Sequence, residues 1–244
     1  MTGIDAYDRS ARLAPAYLVF APAVVLVVVL ALGTSQWWSK LGGVLVACGA
    51  PLLAVQWGRS GGRARQTELF EMWGGPPTTQ FLRFRTGANV SIVGRRHEVV
   101  ERATGITLPT AVEEEQDPGG ADDRYEIAIA DLRERMRNET EFSLVLRENI
   151  AYGFRRNLWG RKPYGLAVAI LALAASGALL IGAAVGHEFG SWTDAALGAG
   201  FAVLALAIWL AVVTPGWVHE AAEAYATRLL ESAVRLPTVG EPGR

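Results

Sequence analysis

"YGLAVAILALAASGALLIGAAVG", from Tyr164 to Gly186, holds no Asp, Glu, Lys, Arg or His and no polar stripe at the helical repeat. At 1.5 Å per residue such a helix spans roughly 35 Å, about the hydrocarbon thickness of a bilayer, whereas a helix of a soluble core would keep one polar face. Three further runs share this character: Ala14 to Leu32, Leu41 to Trp57 and Ala195 to Thr214. They raise the hydrophobic content of the 244 residues to 51%, above that of an ordinary soluble protein. The sequence therefore predicts an all-α integral membrane protein, two transmembrane helical hairpins (four spanning helices) flanking a helical insert. Residues 1–58 form the first hairpin (spans 14–32 and 41–57), residues 59–162 the insert, residues 163–217 the second hairpin (spans 164–186 and 195–214), and residues 218–244 a tail.

Tryptophans favour the headgroup level, and Trp37, Trp38, Trp57, Trp159, Trp192 and Trp217 all fall at or just beyond the ends of these runs. Trp73 and Trp209 do not. Basic residues set the orientation. Arg9 and Arg12 precede the first run, Arg59, Arg63 and Arg65 follow the second, and Arg155, Arg156, Arg161 and Lys162 precede the third, while the hairpin loops hold Lys40 alone. The positive-inside rule then puts both termini and the insert in the cytoplasm. Lysine stands only at 40 and 162, an arginine bias of the kind a GC-rich bacterial genome gives, so the expected location is a bacterial inner membrane. A cleaved signal peptide is the rival for the first run, but the run is long for one and the leader carries Asp5 and Asp8. The single Cys48 lies within the second run, which leaves no intrachain disulfide framework. A net charge of -1 gives the whole chain no pull toward nucleic acid, so any such pull is local.

Within the insert, residues 59–102 are rich in arginine and residues 113–126 are acidic. Two opposite patches either pair with each other, face water, or leave the basic one free for an anion. Helical patterning dominates: Gln66 to Trp73, a helix opening at "TTQFLRFR" with Pro77 at its entry and Thr78 or Thr79 as cap, and Ser91 to Thr104 closed by Gly105. "PTAVEEEQDPGGADD" is expected to be a mobile acidic loop. Beyond it, Tyr125, Ala128 or Ile129, Leu132 and Met136 make one apolar stripe on a helix from about Ala121 to Asn138, suited to an intramolecular, oligomer or partner contact. Thr140 is placed to cap a last helix that carries Phe142, Val145, Leu146, Ile150 and Phe154 toward the third span.

Catalytic patterns are missing. His97, His187 and His219 stand in no nucleophile–base or metal-ligand spacing, and no phosphate-binding glycine loop is present, so neither an enzyme, a metal nor a cofactor is expected. Nor do the runs hold the buried charges of a pump; Ser176 is the notable polar residue at depth, with Glu188 and Asp194 at the outer edge. Ala174, Ala178, Gly182 and Gly186 recur every four residues, a small-residue face that suits close helix packing, either within the chain or in a homo-oligomer. Pro22 and Pro51 each remove a helical hydrogen bond.

The candidate ligand site is "EMWGGPPTTQFLRFR", Glu71 to Arg85. A Gly-Gly-Pro-Pro turn feeding Thr78 and Thr79 at a helix start offers free amides and hydroxyls, Arg83 and Arg85 follow, and Arg95, Arg96 and His97 lie on the next helix. Together these seven residues suit a phosphate, with Trp73 or Phe84 available to stack on a base. The alternative is a rigid elbow beneath the membrane, its arginines meeting lipid headgroups or the acidic segment.

Two stretches, "WGGPPTTQFLRFR" and "RENIAYGFRRNLWG", and the hairpin–insert–hairpin layout resemble bacterial transmembrane effectors of anti-phage (antiviral) defence, the Hailong type in particular. The resemblance implies a partner nucleotidyltransferase, an oligonucleotide or nucleotide second messenger, and a homo-oligomeric ion channel whose opening depolarises the cell. The expected function is a membrane effector or channel-forming protein controlled by an anionic signal, a nucleotide being the favoured class, at the cytosolic helical domain. The alternative is a non-channel scaffold that docks a cytosolic protein through the stripe from Tyr125 to Met136.

Overall fold

The computed structural model describes residues 8–32, 61–186 and 191–238, and among these every regular element is helical. A π-helical turn, Asp8–Leu13, leads into α1 (Ala14–Leu32). Then come α2 (Gly61–Trp73), α3 (Pro77–Gln80), α4 (Val90–Thr104), α5 (Ala111–Gln116), α6 (Pro118–Arg135) and α7 (Ser143–Gly160). After them follow α8 (Lys162–Ala184), α9 (Trp192–Ala207) with a π-helical turn to Val212, α10 (Pro215–Ser232) and a short 3₁₀ turn. The chain divides into two compact units, Met1–Gln66 with Gly153–Val218, and Thr67–Tyr152 with His219–Arg244.

In the first unit α8, and α9 together with its π turn, are long and apolar enough to cross a membrane. Only 17% of α8's apolar window and 28% of α9's is buried, whereas the core helix of a soluble protein would be mostly covered. Ile170, Leu171, Ile181, Leu204 and Leu210 stand outward. The apolar part of α1, Ala14–Leu30, is shorter, and α1 runs unbroken through Pro22. The expected second span, 41–57, with Cys48, Pro51 and Trp57, lies outside the described residues, as do Trp37 and Trp38.

Small residues decide how α1, α8 and α9 meet. Gly165, Ala169, Ala172 and Ser176, at i, i+4, i+7 and i+11, are the buried face of α8. A Cβ on Gly165 would overlap the indole of Trp209, and one on Gly198 would come within 2.7 Å of Leu26 Cδ1 and 2.8 Å of Ser176 Oγ. Trp209 is thus a packing residue, buried with Val19, Leu158 and Val213, while Leu26, Ala172 and Ala202 form a second cluster. At about 100° per residue the four-residue repeat singled out from sequence begins opposite this face at Ala174 and Ala178 and drifts back toward it at Gly182, with Gly186 beyond the end of α8. Ala174, Ala178 and Gly186 are exposed and Gly182 is half-buried among the described residues.

The second unit is built on apolar faces of α4, α6 and α10. Tyr125, Ala128, Ile129, Leu132 and Met136, the stripe expected on α6, are all buried. Residues assigned above to a tail are helical: Ala221, Ala222, Ala226, Leu229 and Leu230 of α10 are buried, Tyr225 stacks on Tyr152, and Trp73 packs on His219 at 4.7 Å.

Three local expectations are corrected here. The acidic segment is not a loop but two helices, because Thr110 and Glu113 form a reciprocal capping box on α5 and Asp117 accepts from Gly120 N ahead of Pro118 on α6. "TTQFLRFR" does not continue as a helix. α3 ends at Gln80, its N-cap is Pro76, and neither threonine caps it. Asn138, rather than Thr140, closes the turn before α7, its side chain accepting from the amides of Thr140 and Glu141. Thr110→Ala should cost about 1 kcal/mol, read as a lower thermal midpoint, with Thr110→Ser close to wild type.

Candidate functional site

The Gly-Gly-Pro-Pro turn is held by Gln80, whose Nε2 donates to the carbonyls of Trp73 (2.8 Å) and Gly75 (2.6 Å). Gly74 and Gly75 have φ of 75° and 126°, where a side chain is strained, and a Cβ on Gly75 would sit 2.7 Å from an Arg83 nitrogen. That open backbone lets the Arg83 guanidinium lie flat against the turn. Its Nη1 donates to the Gly74 carbonyl at 2.6 Å, while Nε and Nη2 form a bidentate pair with Asp122 of α6, both at 2.8 Å.

Arg85 completes the same network. Its guanidinium reaches Glu114 of α5 at 2.8 Å and Asp122 at 2.6 Å. Glu114 is fully buried and also accepts from Phe84 N (2.9 Å), Arg85 N (3.2 Å) and the Tyr125 hydroxyl (2.8 Å). Burial pushes the Glu114 carboxyl up, but the bonds from Phe84, Tyr125 and Arg85 outweigh it and hold it below the usual range. Asp122 is lowered in the same way by Arg83 and Arg85 against its burial. Burial and the bond to Glu114 push the Tyr125 phenol up, so it stays a donor. Two guanidinium and two carboxylate groups thus form a chain, Arg83–Asp122–Arg85–Glu114, that is neutral overall, the pairing outcome allowed for the two opposite patches.

The other expected ligand residues divide between interior and surface. Thr78 and Thr79 are buried, and Thr78 Oγ1 accepts from Arg133 at 3.3 Å. His97 is buried with Nε2 2.7 Å from the Leu82 carbonyl, its ring between Phe84 (4.8 Å) and Tyr125 (5.5 Å). Phe84 and Trp73 are therefore engaged with histidine rings inside the unit. Arg96 donates to the Phe81 carbonyl at 3.0 Å and lies 4.7 Å over the Phe81 ring, with no carboxylate partner among the described residues. Arg95 is 73% exposed and makes one loose pair with Glu98 at 3.2 Å. Surface pairs of that kind contribute little.

Arg95 and Arg96 border a cleft of about 210 Å³ completed by Val99 of α4 and by Thr227, Leu230, Glu231 and Val234 from α10 and its 3₁₀ extension. Arg95 and Arg96 share this cleft, whereas Thr78, Thr79 and His97 are buried and Arg83 and Arg85 are engaged by carboxylates, Arg85 at a partly exposed position. Sequence reasoning missed the far wall of the cleft and the partners Glu114, Asp122 and Tyr125. A T-x-x-E pattern at 110–113 and Asp-Pro at 117–118 marked the helices that carry Glu114 and Asp122. No local signal says which arginine each will meet. Among the described residues no group of His, Cys, Asp and Glu is arranged to hold a metal ion.

The chain matches no family model, no curated protein and no solved structure at a significant level.

Proposed function

We propose that the chain is a four-span integral membrane protein of a bacterial inner membrane, with both termini and the helical insert in the cytoplasm. In this reading it acts as an effector, opening as a homo-oligomeric channel under control of an anionic ligand bound by the insert. A nucleotide-class messenger made by a partner nucleotidyltransferase is the ligand that the resemblance to anti-phage effectors suggests. The seat is the cleft at Arg95 and Arg96. The observation that supports it is the unneutralised Arg96 beside an exposed Arg95 at an open cleft, while Arg83 and Arg85 already have carboxylate partners. A scaffold reading loses the surface named for it, since the stripe from Tyr125 to Met136 is interior.

A ligand can only shift the closed–open balance by binding the two states with different affinity. Expression read with a membrane-potential dye, together with mass spectrometry of small molecules released from the purified protein, tests the reading. The expected result is an anionic molecule that co-purifies with wild type and is lost on Arg95→Gln/Arg96→Gln, along with a changed response of the potential. An unaltered potential in both strains, with no anion released from either protein, would sink it.

A further inference from the structure

Four cations gather where α7 gives way to α8 in the first unit: Arg155, Arg156, Arg161 and Lys162. Lys162 Nζ donates to the Val213 carbonyl at 2.8 Å, Arg155 to the Trp217 carbonyl at 2.8 Å, and Arg161 to the Asn157 carbonyl at 3.2 Å. A carbonyl satisfies a donor but carries only part of a charge. Neither Arg161 nor Lys162 has a carboxylate partner among the described residues, and Asp194 lies in the first turn of α9, at the other end of the antiparallel pair.

Aromatic rings lie at the same end of the unit. Arg155 lies 4.9 Å over Trp217 and Arg65 lies 5.8 Å over Trp159. One turn further along α8, Tyr164 is 68% exposed, and Tyr164, Ala167 and Leu171, at i, i+3 and i+7, continue outward as an apolar line. Cation, aromatic ring and bare hydrocarbon in that order match the polarity profile of a phospholipid from phosphate to acyl chain. A small soluble anion would use the cations and leave the apolar line without a partner.

We propose that this end of the unit is a headgroup site for anionic phospholipid, in which Arg161 and Lys162 hold the phosphate and the acyl chain lies along Tyr164 and Leu171. The inference rests on the membrane reading above. Full-length protein is reconstituted into vesicles of phosphatidylcholine alone or with phosphatidylglycerol, floated, extracted, and weighed by native mass spectrometry for retained lipid. Wild type is expected to float in both and retain phosphatidylglycerol in preference. Arg161→Gln should reduce that retention roughly fivefold, and Arg161→Gln/Lys162→Gln by a similar further factor, with phosphatidylcholine unchanged. Arg161→Lys should keep most of the preference. Equal retention of the two lipids by floated wild type, or a preference left undiminished by Arg161→Gln and by Arg161→Gln/Lys162→Gln, overturns the site and leaves the membrane reading standing. Failure to float in either vesicle overturns both.

Discussion

Gly165→Leu is expected to unfold the first unit at a markedly lower temperature than wild type, because the site has no room for any side chain. Even a Cβ there would overlap the Trp209 indole, which is buried against Val19, Leu158 and Val213. Overpacking a close-packed core costs about 1–3 kcal/mol and sometimes more, and here the obstacle is a rigid ring rather than the flexible end of a side chain. For a chain of this size, at about 2–4 °C per kcal/mol, that corresponds to a fall of about 2–12 °C in the thermal midpoint in detergent. Trp209→Ala alone should also be costly, at about 3–5 kcal/mol, through loss of the ring and the cavity it leaves. The two changes address one contact. Gly165→Leu/Trp209→Ala should therefore be less harmful than the sum of its parts, the sign of direct coupling. A Gly165→Leu protein that melts with wild type would show that α8 and α9 do not meet at this point.

Glu114→Ala carries the second large effect, and it falls on the other unit. The carboxylate is fully buried and serves four donors at once: two backbone amides, the Arg85 guanidinium and the Tyr125 hydroxyl. Removing one partner of a buried charged pair costs about 3–5 kcal/mol. The lower half of that range is expected here because the Arg85 side chain is 35% exposed and water screens it. Glu114→Gln keeps the shape but not the charge and should fall between.

The pH dependence follows from the same bonds. Glu114 and Asp122 both titrate lower in the folded chain than in the unfolded one. Their contribution is fully present above the unfolded carboxylate range, near pH 4, and is lost as pH falls below it through the folded values. The stability gap between wild type and Glu114→Ala, followed by chemical denaturation, should accordingly be wide at neutral pH and narrow in acid. A gap that stays constant across the titration would mean that the carboxylates are not stabilised by their partners.

Much of the helical structure is legible in single segments. The runs that became α8, α9 and the apolar part of α1 can be read because twenty or so uncharged residues have one favourable backbone state when water is excluded. The Gly105 stop of α4 is equally local, a left-handed C-cap with φ of 73°. The capping box of α5 is local as well, although the density of charge and glycine around it has the composition of a loop. α10 is hard to read for a different reason. Its buried face mixes Val218, Tyr225, Leu229 and Leu230 with Ala221, Ala222 and Ala226, and the alanines make little hydrophobic signal until other segments pack against them.

The candidate site shows where such reading stops. Sequence placed Arg83, Arg85, Arg95 and Arg96 in one basic group, and nothing in the spacing separates them. Folding brings Asp122 to Arg83 across 39 positions and Glu114 to Arg85 across 29, so the first two are tied to carboxylates while Arg95 and Arg96 stay at an open cleft. The same division holds for small residues on α8, where the repeat from Ala174 to Gly186 reads more clearly than the face from Gly165 to Ser176 that is buried among the described residues. Composition over one stretch fixes which solvent a helix tolerates and where it starts and stops, since those free energies are set by neighbours in the chain. Which charge is neutralised, and which glycine receives a ring, depends on residues remote in the chain, and only the folded arrangement supplies them.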